Sequence, residues 1–199
     1  MTNIIKKRWT KYIAKKSRIA IVFDFLFVLL LIAIIIPGTR QKLSSTIIKY
    51  TMFQPRETKE VVYLRESNWK LKGKNGSVID FEKLEGKVLF INFWATWCPH
   101  CIAEMSSIQK LYNLYGNQID FLLISNEEQN VIDGFMKKKG YKIPVYHNLS
   151  GEVPRELYSQ SIPATYLISK NGRIVISKKG AADWSGQKVQ HIVEQLLNE

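Results

Sequence analysis

Cys98 and Cys101 are the only cysteines in a chain of 199 residues, and they sit together in Trp97-Cys98-Pro99-His100-Cys101. Thiols three residues apart meet on one face of a helix, close enough to close a disulfide or to exchange one with a partner. At a helix N-terminus the free N–H groups and the helix dipole lower the pKa of the first thiol, making Cys98 a thiolate able to attack a disulfide. Cys101 then resolves the mixed disulfide. Pro99 suits the first helical turn, where no hydrogen bond is lost. A reading of a different class is half a metal site: two thiolates can hold Cu(I), as in a metallochaperone. That reading wants a third soft ligand, and neither His147, read as a loop residue, nor His191, on a helix face, is evidently placed to serve.

The elements around the pair have the right order to present it. Val88 to Trp94 is an apolar run read as a strand buried on both faces, and a helix is expected from Pro99 to Tyr115. Ile119 to Ser125 reads as a second buried strand and Glu128 to Lys139 as a second helix. Two hairpins are expected at Lys-Asn-Gly turns, one between Trp69 to Leu71 and Ser77 to Asp80, the other between Ala164 to Ile168 and Arg173 to Ser177. Gln187 to Leu197 carries a helical apolar stripe of Val189, Ile192, Val193, Leu196 and Leu197. This is an α/β layout around a central mixed sheet.

The formal charge of +12 is unevenly placed. Residues 1–60 hold 12 Lys or Arg and three acids, a net +9, and the rest holds 17 against 14, a net +3. A nucleic-acid surface would need a basic face on the folded part interleaved with aromatic residues, and its short lysine runs read as solvated, so no nucleic-acid partner is expected. Ile19 to Ile36 is apolar except for Asp24, which lies close enough to the basic flank to reach the interface. As a helix the run would span about 27 Å, near the hydrocarbon thickness of a bilayer. Seven bases and no acid precede it, which by the positive-inside rule puts the N-terminus in the cytoplasm. The expected organisation is a basic cytoplasmic segment over 1–18, a transmembrane helix over 19–36, a linker over 37–60 with a surface-lying amphipathic stretch (Leu43, Ile47, Ile48, Met52), and an extracytoplasmic domain over 61–199. No good signal-peptide cleavage site follows Ile36, so the helix is expected to stay as an anchor.

The run from Asn92 to Cys101, Ser161-Ile162-Pro163-Ala164-Thr165 before a strand, and Gly180-Ala181-Ala182-Asp183-Trp184 before the last helix resemble the membrane-anchored thioredoxin-like proteins of the TlpA/ResA type. The resemblance implies a thioredoxin-like fold with an extra N-terminal hairpin, a bacterial extracytoplasmic location, and thiol–disulfide exchange on exported Cys-containing proteins. It also implies a membrane-embedded electron donor, a reductase direction, and no cofactor beyond the Cys98–Cys101 disulfide. Pro163 takes the place of a cis proline that faces the thiols and pairs with the substrate chain.

Two positions depart from the broader pattern. Thioredoxins proper carry a buried Asp where this chain has Asn92, which cannot titrate. Glu104, one helical turn beyond Cys101, is the candidate for moving the resolving proton, and ResA-like members have a glutamate there; an ordinary exposed helix Glu is the alternative. His100 gives the Cys-Pro-His-Cys arrangement of DsbA-type oxidants, and a histidine beside Cys98 can stabilise its thiolate and make the disulfide more oxidising, which argues for an oxidase or isomerase. Peroxide reduction in thioredoxin-fold enzymes uses a Pro-x-x-x-Thr-x-x-Cys pattern, and Ile91 and Ala95 occupy the Pro and Thr positions here.

Overall fold

A computed structural model describes residues 17–65, 69–149 and 153–199. The chain divides into two units, 1–43 and 44–199. In the first, α1 (Arg18–Ile35) is capped by Ser17, whose hydroxyl accepts from Ala20 N, and carries no acid in its first turn. Its apolar side chains from Ile19 to Ile32 are largely exposed. The proline that ends the apolar run opens a further helix, α2 (Pro37–Thr51), because proline is tolerated at a first helical position. Among the described residues no single helix is long and apolar enough to cross a membrane; α1 and α2 meet that test only as a broken pair, by length and composition.

The second unit is built on one seven-stranded sheet in the order β2-β1-β5-β4-β3-β6-β7. The strands are β1 (Lys70–Gly73), β2 (Val78–Asp80), β3 (Leu89–Phe93), β4 (Asp120–Ile124), β5 (Val145–Asn148), β6 (Ala164–Ile168) and β7 (Ile174–Lys179). β3, β4 and β5 run parallel, while β6 and β7 on one side and β1 and β2 on the other are antiparallel. The parallel pairs require crossovers, supplied by α3 (Pro99–Tyr115) and α4 (Gln129–Lys139); α5 (Gln187–Asn198) closes the chain. Both expected hairpins form. Gly76 and Gly172, at the ends of the two Lys-Asn-Gly turns, have φ of 76° and 82°, a left-handed backbone that glycine adopts without a Cβ clash.

Strand β5 departs from expectation, and it places His147 in the sheet rather than in a loop. It is four residues long and half-buried throughout, so Val-Tyr-His-Asn shows neither an apolar run nor an alternation. It matters because β1 joins the sheet through it.

Strand alternation separates two cores. Phe90, Phe121 and Leu123 join the buried faces of α3, α4 and α5 in one cluster. Leu89, Ile91, Leu122 and Ile124 lie in the other with Trp69, Phe81 and Leu157, where short 3₁₀ turns at Phe81–Leu84 and Arg155–Leu157 take the place of helices. Residues 53–58, within the stretch expected as a linker, are bonded to the rest of this unit: Thr58 N donates to Val175 O, Asp183 N to Phe53 O, and Lys188 N to Gln54 Oε1. Leu123→Ala, at a position with no exposed surface, is expected to lower the unfolding free energy by about 2–5 kcal/mol in urea denaturation followed by circular dichroism. Lys138→Ala on the exposed side of α4 should change it by less than about 1 kcal/mol.

Candidate functional site

Strand β3 ends beside Ile124, whose carbonyl accepts from Trp94 N at 3.0 Å, and the chain turns through Ala95-Thr96-Trp97 to Cys98. Cys98 is the N-cap of α3 with Pro99 at the first helical position. Its Sγ accepts from Cys101 N at 3.2 Å, so the sulfur lies among the free N–H groups of the helix start, where negative charge is favoured. Cys98 and Cys101 form a disulfide with a Cα–Cα distance of 5.3 Å. The two sulfurs are not equivalent: Cys98 is 4% exposed and Cys101 has no exposed surface. Trp97 and His100 are exposed beside the pair. At the entrance of β6 the Ile162–Pro163 peptide bond is cis, and the Ile162 carbonyl oxygen lies 3.8 Å from Cys98 Sγ.

Glu104 is wholly buried, which differs from an exposed helix glutamate. Its Oε1 accepts from Asn92 Nδ2 at 2.9 Å, and its Oε2 accepts from Trp184 Nε1 at 3.0 Å and Ala182 N at 3.1 Å. Burial penalises the charged form and pushes the carboxyl up to about 7, while those three donors and the Lys178 charge pull the other way. Ser107, one turn further, donates to the Glu104 carbonyl and accepts from Trp184 N.

Trp184, Ala182 and Thr165 were not singled out by sequence as individual residues of the site, nor was Glu127. Both oxygens of Glu127 hold Thr96, one accepting from its N and the other from its hydroxyl at 2.6 Å. An acid just past the carboxyl end of the strand parallel to β3 was the available signal, because ends of parallel strands are where such sheets gather their sites. A groove of about 410 Å³ lies along this edge, lined by Phe93, Trp97, Glu127, Leu157, Tyr158 and Ile162 among others. His147 Nε2 is within 2.9 Å of Gln129 Oε1 and His191 lies beside Glu194. Among the described residues no group of three or more His, Cys, Asp or Glu side chains is placed to hold a metal ion.

A thiol pair at a strand-to-helix junction, opposite a proline at a strand entrance, on a mixed sheet is the arrangement of a thioredoxin-fold enzyme of thiol–disulfide exchange. Residues 57–196 match the Redoxin family. The thiol-disulfide oxidoreductase ResA of Halalkalibacterium halodurans is 31% identical over 134 residues, covering 66% of this chain and 75% of that protein. ResA of Oceanobacillus iheyensis is 38% identical over 108 residues, covering 53% and 56%; the chain thus spans little more than half of that relative. Among solved structures, a thioredoxin-family thiol:disulfide interchange protein from Chlorobium tepidum aligns with a TM-score of 0.53 at 21% identity, over 72% of this chain and 96% of that one. StoA from Bacillus subtilis aligns with a TM-score of 0.50 at 21% identity, over 71% and 98%. The chain belongs to the Redoxin family, and its folded unit is a ResA/TlpA-like thiol–disulfide oxidoreductase domain whose redox pair is Cys98–Cys101.

The Glu104 carboxyl fixes a pH dependence of stability. Its folded pKa of about 7 lies above the ordinary 4.5, so the folded chain keeps a proton that the unfolded chain releases. The stabilisation is complete below about pH 4.5 and is lost as pH rises through about 7, a swing of about 3 kcal/mol. Denaturant unfolding of the oxidised protein across that window should show wild type losing stability relative to Glu104→Gln; parallel curves would contradict it.

Proposed function

We propose that this protein is a membrane-tethered reductase of disulfides in extracytoplasmic Cys-containing proteins, recharged by a membrane-embedded electron donor. The apolar, base-flanked N-terminal segment supports anchoring in a bacterial cytoplasmic membrane with the N-terminus inside and the folded unit outside. The observation that carries the exchange chemistry is the asymmetry of the pair: Cys98 caps the helix beside the groove, while Cys101 is wholly buried one turn from a buried carboxyl; the reductase direction follows from the resemblance to the TlpA/ResA type.

In the reduced state the Cys98 thiolate attacks one sulfur of a substrate disulfide. The substrate's other sulfur leaves as a thiolate and takes a proton from water. Cys101 then gives its proton to Glu104, and its thiolate attacks Cys98 Sγ. The Cys98–Cys101 bond forms, the bond to the substrate breaks, and the second substrate thiolate is released and protonated. The substrate gains two electrons and two protons, and the donor restores them to the pair. Pro163 and the Ile162 carbonyl pair with the substrate backbone, Trp97 covers its apolar side chains at the groove rim, Pro99 sets the start of α3, and His100 stabilises the Cys98 thiolate.

The test is entrapment. Cys101→Ala in the native membrane should accumulate substrates disulfide-linked through Cys98, and none should appear in Cys98→Ala/Cys101→Ala. The reduction potential of the pair, equilibrated against glutathione, should lie below about −180 mV; a higher value would replace the reductase reading with an oxidase or isomerase.

A further inference from the structure

The buried Glu104 carboxylate has a polar connection to the sheet edge. Asn92, which donates to it, stands opposite Thr165 in the β3–β6 register, and Thr165 stands opposite Lys178 in the β6–β7 register. Directly opposed residues of an antiparallel pair share a face of the sheet. The 2.7 Å bond from Asn92 Nδ2 to Thr165 Oγ1 joins the first pair. Leu167 and Ile176, opposed two residues along the same strands, both belong to the helix-side core, so the phase carries Lys178 onto that face as well. Asn92 and Thr165 have no exposed surface, and Lys178 is half-buried between exposed Ser177 and Lys179. The row therefore runs from the buried carboxylate to the last strand of the sheet.

Lys178 is the cation in this setting. On α3 itself Cys101, here joined to Cys98, stands one turn before Glu104. β3 and β6 present neutral Asn92 and Thr165. The loop before α5 presents the Ala182 N–H and the Trp184 indole, with the Asp183 carboxylate turned to Ser185 N and Oγ. α5 contributes apolar Val189, Ile192 and Val193 to the same core. From β7 comes Lys178, whose charge favours the ionised carboxylate.

We infer that Lys178 is a positioning residue of the redox cycle: its ammonium, at the open end of the Asn92–Thr165 row, favours the ionised form of the Glu104 carboxyl, the form that can take the Cys101 proton. This rests on the proposed role of Glu104 in the resolving step. The proton moves from Cys101 Sγ to Glu104, and Lys178 neither gives nor receives one.

The experiment uses the full chain in detergent. The Glu104 carboxyl carbon is titrated by ¹³C NMR in the oxidised protein, with Glu104→Gln to assign it. The release of the second thiolate from an aromatic disulfide probe is followed against pH in the reduced protein. Lys178→Gln should raise the Glu104 midpoint, lowering its acid constant by about twofold or more, and should move the acid limb of the resolving rate to higher pH by the same factor. Lys178→Arg should restore both. Lys179→Gln, on the opposite face of the strand, should leave both unchanged. If Lys178→Gln matches wild type while Glu104→Gln still removes the limb, the inference is overturned and the Glu104 reading stands. If Glu104→Gln leaves the limb in place, that reading fails and this inference with it.

Discussion

A carboxylate with no exposed surface must be given donors by the fold, and the donors of Glu104 come from distant parts of the chain. Asn92 is on the third strand, and Ala182 and Trp184 lie in the loop before the last helix. An unsatisfied buried charge costs several kcal/mol, so the register of α3 on the sheet depends on the donors that β3 and that loop supply. Ser107 repeats the tie one turn along, and Trp184 then packs edge-on against Phe90 with ring centroids 5.0 Å apart. Three donors do not fully offset the desolvation, which is why the group titrates near neutrality instead of well below it.

The same constraint orders the chemistry. α3 is held from within by Glu104, and the same N-terminal part of the helix carries Cys98 at the junction with β3. Glu127 fixes the junction loop by gripping Thr96 with both oxygens. The Ile162 carbonyl approaches from the segment that leads into β6. A nucleophilic sulfur, a loop and an extended backbone segment are thus brought to one edge by elements whose positions are set elsewhere, and the reactive group itself needs few contacts of its own.

Much of this was legible in the sequence for a physical reason: buried parallel strands must be apolar, turns that need positive φ need glycine, and a thiol nucleophile needs a helix start. β3, α3, both hairpins and the Cys98–Cys101 pair each obey one such rule. β5 was not legible, because a four-residue strand with His147 and Asn148 is stabilised by its neighbours rather than by its own pattern. Glu104 could be placed on the right helix face, but its burial depends on Trp184, 80 residues away, and no local spacing encodes that. Glu127 escaped for the same reason: its partner Thr96 lies across the sheet edge, on another strand's loop.

Asn92 explains how an acid can be moved off the strand without losing control of its charge. A carboxyl on β3 itself would sit at the sheet centre, its ionisation governed by whatever lies next to it. With the acid on α3 and a neutral amide on β3, the amide can donate to the carboxylate and to Thr165 together, so a polar row crosses the sheet where an apolar row would otherwise isolate the charge. In a low-dielectric interior such hydrogen bonds are electrostatically stronger than in water and polarise one another. Lys178, remote in sequence from both thiols, stands at the edge-strand end of that row, and its charge favours the ionised form of the buried acid across three strands.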